Sequence, residues 1–118
     1  SIWGGTTSKL HVDPDYIAHY GGDGFADAFA RIEAHYFVHG AWLKSDTQLL
    51  DDATKIAHLP GVIVQGRYDL VCPAASAWAL HQRWPKSKLV MVPDAGHSIK
   101  EPGVVSALVQ ATDDFAGL

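Results

Sequence analysis

Residues 61–73 read GVIVQGRYDLVCP, and residues 88–102 read KLVMVPDAGHSIKEP. Each opens on a short apolar run and then gives way to a loop that holds glycine, aspartate and proline. Such runs between turn signals predict strands covered on both faces. Between them, PAASAWALHQRW (73–84) predicts a helix with Pro73 preset for its first turn. After them, EPGVVSALVQATDDFAGL (101–118) predicts a closing helix with Pro102 near its start. Strand, helix, strand, helix is the order of a parallel βαβα unit with a right-handed crossover, so the fold class is α/β. Two parallel strands alone do not make a stable sheet, because both faces and both edges need cover. Neighbouring strands are therefore expected from another segment, another copy or a partner. The open sheet edges also offer a route to a homo-oligomer.

Upstream of Pro60 the pattern is helical throughout residues 14–58. FADAFARIEAHYF (25–37) sets Phe25, Phe29, Ile32 and Tyr36 on one expected apolar stripe. Asp23 and Gly24 suit the start of that helix and Gly40 its stop. DTQLLDDATKIAHL (46–59) predicts a second amphipathic helix carried by Leu49, Leu50, Ala53 and Ile56, with Asp46 or Thr47 as N-cap.

The 118 residues are 47% hydrophobic and 19% charged, ordinary values for a globular domain. A net charge of −4 leaves no basic footprint for nucleic acid or an anionic membrane. No apolar run reaches the roughly 20 residues that span a bilayer, and no signal-peptide pattern opens the chain. The single cysteine, Cys72, cannot form an internal disulfide, which points to a cytoplasmic setting. The chain begins SIWGGTTSKL without an initiator methionine, as if cut from something longer.

In open α/β sheets, ligands bind beyond the carboxyl ends of the strands. Asp69 sits in the loop after the first strand and His97 in the loop after the second, 28 residues on. At the tips of consecutive parallel strands the two can meet. The carboxylate would accept the Nδ1 proton and leave Nε2 to take a proton from a hydroxyl. The plainer alternative makes Asp69 and Asp94 closers of Asx turns. α/β hydrolases place Ser, then Asp or Glu, then His, with the serine in G-x-S-x-G. Here Asp precedes His, but no G-x-S-x-G occurs, and Ser98 in GHSIK lacks the second small residue of such an elbow. The nucleophile is expected outside these residues.

ARIEAHYF (30–37), GVIVQGRYDLVCP (61–73), AWALHQRWP (77–85) and the DAGHS and KEP segments (94–102) closely resemble the C-terminal part of the proline iminopeptidases of the α/β-hydrolase superfamily. That resemblance implies the C-terminal βαβα part of a hydrolase fold, at residues 46–118, preceded by helices from the end of a helical cap, at residues 1–45. It implies a serine peptidase that releases N-terminal proline from peptides, with Asp69 and His97 as its catalytic acid and histidine and no cofactor. It also implies that the missing N-terminal half of the same enzyme is a partner and a peptide with free N-terminal proline the substrate. By the same resemblance Glu33 binds the substrate amine, and Phe37, one helical turn on, is an aromatic wall for the pyrrolidine ring. A buried carboxylate there would reject blocked peptides by leaving a charge unpaired. Cys72 matches the family pattern and is expected near the active-site floor. The family often reads W-E-G where this chain reads Trp3-Gly4-Gly5, so one amine-binding acid is replaced by Gly4, which implies a shifted substrate preference.

Two rival readings stand beside this one. His35 and His39 lie one helical turn apart with Glu33 near, a loose metal-binding pattern, but H-E-x-x-H is absent and no metal is assigned. A free-standing, non-catalytic interaction module derived from a hydrolase would also lack the nucleophile.

Overall fold

The computed structural model describes residues 2–117. Three helices come first: α1 (Ile2–Thr7), α2 (Pro14–Gly21) and α3 (Asp23–Val38). A short α4 (Gln48–Asp51) leads into the α/β unit, formed by β1 (Gly61–Gly66), α5 (Ala74–Arg83), β2 (Ser87–Val92) and α6 (Pro102–Phe115).

The two strands pair in parallel, with Gly61 opposite Ser87 and Gly66 opposite Val92. Both expected strands are therefore present, and α5 and α6 both pack on them. Their expected cover is not. Val62, Ile63, Val64, Leu89 and Val90 are only half-buried and Met91 is exposed, because no further strand flanks the pair among the described residues. At the head of the unit the Trp84 indole donates to the Leu59 carbonyl (2.9 Å).

α3 starts and stops where expected, and the helical half departs from expectation at two places beyond it. α3 stops at Val38, and Gly40, Ala41 and Trp42 all take positive φ (53°, 50° and 57°). For Ala41 and Trp42 that conformation costs about 1–3 kcal/mol each. Trp42 packs its ring on His39 (5.3 Å between centroids) and edge-on to Tyr36 (5.0 Å), so a local aromatic cluster holds the turn. Further on, the expected helix over 46–59 is a single α turn followed by a 3₁₀ turn at Asp52–Lys55. Thr47 occupies the N-cap position without capping, its hydroxyl donating instead to the Asp51 carboxylate (2.8 Å). Of the expected stripe only Ala53 is buried, while Leu49 is 66% exposed. A helix gains most of its stability from packing its apolar face, and this one has little to pack on.

Asp13 caps α2 by accepting the Tyr16 N–H (3.0 Å). The Lys9 ammonium first, and that N–H second, hold its carboxyl below the usual carboxylate range. This support is present at neutral pH and is lost on acidification through the lowered value.

The buried apolar residues are small: Ala53, Ala77, Val92, Ala95 and Val104. Val92, Ala95 and Val104 form the core cluster, with Val64 and Ala107 against it. The accessible surface is 8247 Å², against about 6,200 Å² for a folded monomer of this mass. The Cα radius of gyration is 16.1 Å, against about 13.5 Å for a compact domain of this length. Apolar side chains supply much of the excess, with Phe37, Val38, Leu70 and Ile99 each at least 70% exposed. The 118 residues expressed alone should therefore self-associate and bind a hydrophobic dye such as ANS. A dye-free monomer in sedimentation velocity would contradict that expectation.

Candidate active site

Parallel pairing sends both catalytic-loop candidates off the same, carboxyl, end of the sheet. Beyond the strands the backbones stay bonded: Arg67 N–H donates to Val92 O (2.9 Å) as the last rung of the ladder, and Tyr68 N–H reaches out of register to Ala95 O (3.0 Å). Gly66 allows this approach. A Cβ there would lie 1.9 Å from the Gly96 carbonyl oxygen, so no larger residue fits without displacing the loop.

Asp69 and His97 meet as a result, with Nδ1 of His97 3.0 Å from Oδ2 of Asp69. A carboxylate only accepts, so Nδ1 carries the proton and Nε2 is the basic nitrogen. Among the described residues, Nε2 makes no hydrogen bond. The Asp69 side chain is 7% exposed and that of His97 38%. Asp69 also closes a turn, because its Oδ1 accepts the N–H groups of Cys72 (2.7 Å) and Val71 (2.9 Å). The turn role and the histidine contact use different oxygens of one carboxylate, so the two readings of Asp69 hold together. The turn anchors one oxygen and aims the other.

Residues that sequence reasoning passed over complete this arrangement. Gln65 is buried at the end of β1, and its Nε2 donates to Gly66 O (3.0 Å) and Cys72 O (3.1 Å), with Asp69 Oδ2 at 3.4 Å. It closes the Asp69 loop from below. Glu101, 5% exposed, accepts the Gly96 N–H (3.2 Å) and the Leu10 N–H. The only sequence signal for either is a polar residue next to a candidate catalytic loop, which does not distinguish a buried group from a surface one. Ser98 is buried, and its hydroxyl accepts the Lys100 N–H (3.2 Å), a local turn contact.

His97 lines a cleft of about 680 Å³ together with Glu33 and Phe37 of α3. The helix brings them there as one ridge: Phe25, Phe29, Glu33 and Phe37, four residues apart, all border the cleft. Phe25 and Phe29 stack at 5.6 Å, and His19 of α2 lies 4.4 Å from Phe25. The expected stripe is thus divided. Ile32 and Tyr36 lie on another side of α3, with His35 and His39, and are 63% and 52% exposed. That division also separates the elements of the metal pattern. Glu33 borders the cleft, while Nδ1 of His39 contacts the His35 carbonyl (2.8 Å) on the other side. No group of three or more metal-binding side chains occurs among the described residues.

Cys72 lies beside Asp69 in sequence and contact but is exposed and does not border the cleft. Partial burial first, and the Asp69 carboxylate second, push its thiol above the ordinary value. No described helix is long and apolar enough to cross a membrane.

Comparison with known proteins identifies the family. The family model described as TAP-like protein, an α/β-hydrolase family, matches residues 32–116. A probable proline iminopeptidase of Leptolyngbya boryana is 58% identical over 115 residues, covering 98% of this chain and 36% of that protein. Proline iminopeptidases of Xanthomonas citri and Arabidopsis thaliana are 57% and 46% identical over 116 residues, covering 98% of this chain and 37% and 30% of theirs. The chain spans about a third of the length of these curated relatives. With a family match that runs from the middle of α3 through the whole α/β unit, the chain belongs to the TAP-like family of α/β hydrolases.

Proposed function

We propose that these residues form the C-terminal part of a serine aminopeptidase that releases N-terminal proline from peptides. The observation that carries the reading is the 3.0 Å contact from His97 to Asp69, with the histidine bordering the same cleft as Glu33 and Phe37. The relatives' names support the substrate. In this reading the nucleophilic serine comes from a part of the protein outside these 118 residues, which also covers the open faces of β1, β2 and α3.

The serine hydroxyl attacks the carbonyl carbon of the N-terminal residue, and Nε2 of His97 takes its proton. Asp69 holds the imidazolium so formed. The tetrahedral intermediate then collapses, the C–N bond breaks, and His97 returns the proton to the leaving amine. Water, deprotonated by the same nitrogen, attacks the acyl-enzyme and frees proline and the serine. Glu33 pairs with the substrate's ammonium, and Phe37 lies along the pyrrolidine ring. Residues 1–45 supply amine recognition and residues 46–118 the catalytic loops.

In the complete enzyme, His97→Ala and Asp69→Asn should each lower kcat on proline-β-naphthylamide by about 10⁴-fold. Activity that survives both changes would refute the assignment. Glu33→Gln should raise KM roughly 10- to 100-fold, because a charge-assisted contact to the amine is lost. An unchanged KM would remove Glu33 from the amine site. The sequence has glycine at position 4 where the family pattern has an acid. A relaxed preference for proline is therefore a second reading, measured by comparing alanine- and proline-β-naphthylamide.

Cys72 borders the Asp69 turn, so bulky thiol reagents should inhibit through that turn. With its thiol raised, alkylation should be slow at pH 7 and accelerate as pH climbs through and above 9. Full activity after verified modification of Cys72 would sink the idea.

A further inference from the structure

The buried carboxylate of Glu101 takes no part in the chemistry above, yet it sits under the histidine loop. Its Oε1 accepts two backbone N–H groups, that of Gly96 in the loop and that of Leu10, 91 residues away in sequence. Two more observations place the same two segments together. Ser98 N–H donates to Ser8 O at 2.6 Å. A Cβ on Gly96 would lie 3.0–3.2 Å from backbone atoms of Ser8, Lys9 and Leu10. Ser8, Gly96, Ser98 and Glu101 are all buried. The Lys9 ammonium in the same segment is raised first by its hydrogen bond to Asp13 and to a lesser degree by the charge of Glu101.

Without Glu101, two N–H groups in a tight, buried joint would lose their acceptor. The free position of Glu101 at the start of α6 is consistent with this use. It occupies the N-cap position but makes no side-chain cap, so its side chain is committed to the joint. Residues 96–98 therefore take their position from two sides: from β1 through the Gly66 contact, and from the segment between α1 and α2 through Glu101.

We propose that Glu101 is a positioning residue. It latches the His97 loop to residues 8–10 and so sets His97 against both Asp69 and the cleft bordered by α2 and α3. The inference rests on the proposed role of His97 as catalytic base. What the latch supplies is an acceptor oxygen, so glutamine, which keeps one, should replace glutamate and alanine should not.

The test uses the complete enzyme and compares Glu101→Ala, Glu101→Gln and Ala77→Gly. The last weakens α5 without touching either loop and reports the effect of lowered stability alone. Each is assayed at a temperature where circular dichroism shows it folded, on proline-β-naphthylamide and on 4-nitrophenyl acetate. Glu101→Ala should lower kcat on the order of 10- to 100-fold with KM changed less than about threefold, the cost of a small misplacement of a catalytic group. Glu101→Gln should recover most of the loss, and Ala77→Gly should leave kcat unchanged. A folded Glu101→Ala enzyme with wild-type kcat overturns the latch. So does a Glu101→Gln enzyme as slow as the alanine variant, because the acceptor oxygen would then be irrelevant. A parallel His97→Ala enzyme separates the two claims. If it still hydrolyses both substrates, the role of His97 fails first. If it loses the ester but no variant cleaves the proline substrate, the substrate reading fails while the ester still reports on Glu101.

Discussion

Parallel pairing of β1 and β2 is the constraint from which the site follows. Parallel strands finish at the same end of the sheet, so the loops that follow leave side by side whatever their sequences. The two loops stay tied past the strands through Arg67 N–H to Val92 O, the last rung of the ladder, and Tyr68 N–H to Ala95 O, which is out of register. Gly66 makes that continuation possible, because the Gly96 carbonyl occupies the space a side chain would need. Asp69 and His97, 28 residues apart, are then held at 3.0 Å. Gln65 and the Asx turn fix the carboxylate from its own strand, so the pair is oriented by groups that never touch the ring of His97.

The helical half acts on this end of the sheet from one side. The ridge of Phe25, Phe29, Glu33 and Phe37 faces the histidine across the cleft, and the segment between α1 and α2 is tied to the histidine loop itself. The helical half and the histidine loop thus share a joint. In the proposed peptidase, that joint is where the grip on the substrate amine would be referred to the position of the base. Elsewhere the helical half is loosely held. α3 packs on α2 and the turn after it, with no described contact to the sheet. Its other side leaves Ile32, Tyr36 and Val38 exposed. Those faces and the uncovered strands account for a surface larger than a self-contained domain of this mass would have.

Much of this was legible in the sequence, and the reason differs by element. The strands, α5 and α6 follow from short apolar runs and from prolines that restrict where a helix starts, which are local properties. The pairing of Asp69 with His97 was legible because strand order alone places their loops together. The helix over 46–59 was misread because periodicity reports a capacity for packing, and little was there to pack against. The turn at Gly40–Trp42 gave only its glycine as a signal; the two left-handed residues after it depend on the aromatic cluster around Trp42.

The sequence by itself determined the α/β order, the end of the sheet where the two loops emerge, and the two residues that meet there. These depend on backbone preferences and chain direction, which neighbours a few residues away decide. Only the tertiary structure decided which ridge of α3 faces the cleft, and that Glu33 and His35 part to opposite sides. It alone decided that Gln65 and Glu101 are interior groups. A polar side chain is stable inside only if distant donors or acceptors arrive to meet it. For Glu101 the deciding donor is the N–H of Leu10, brought there by the fold from 91 residues away.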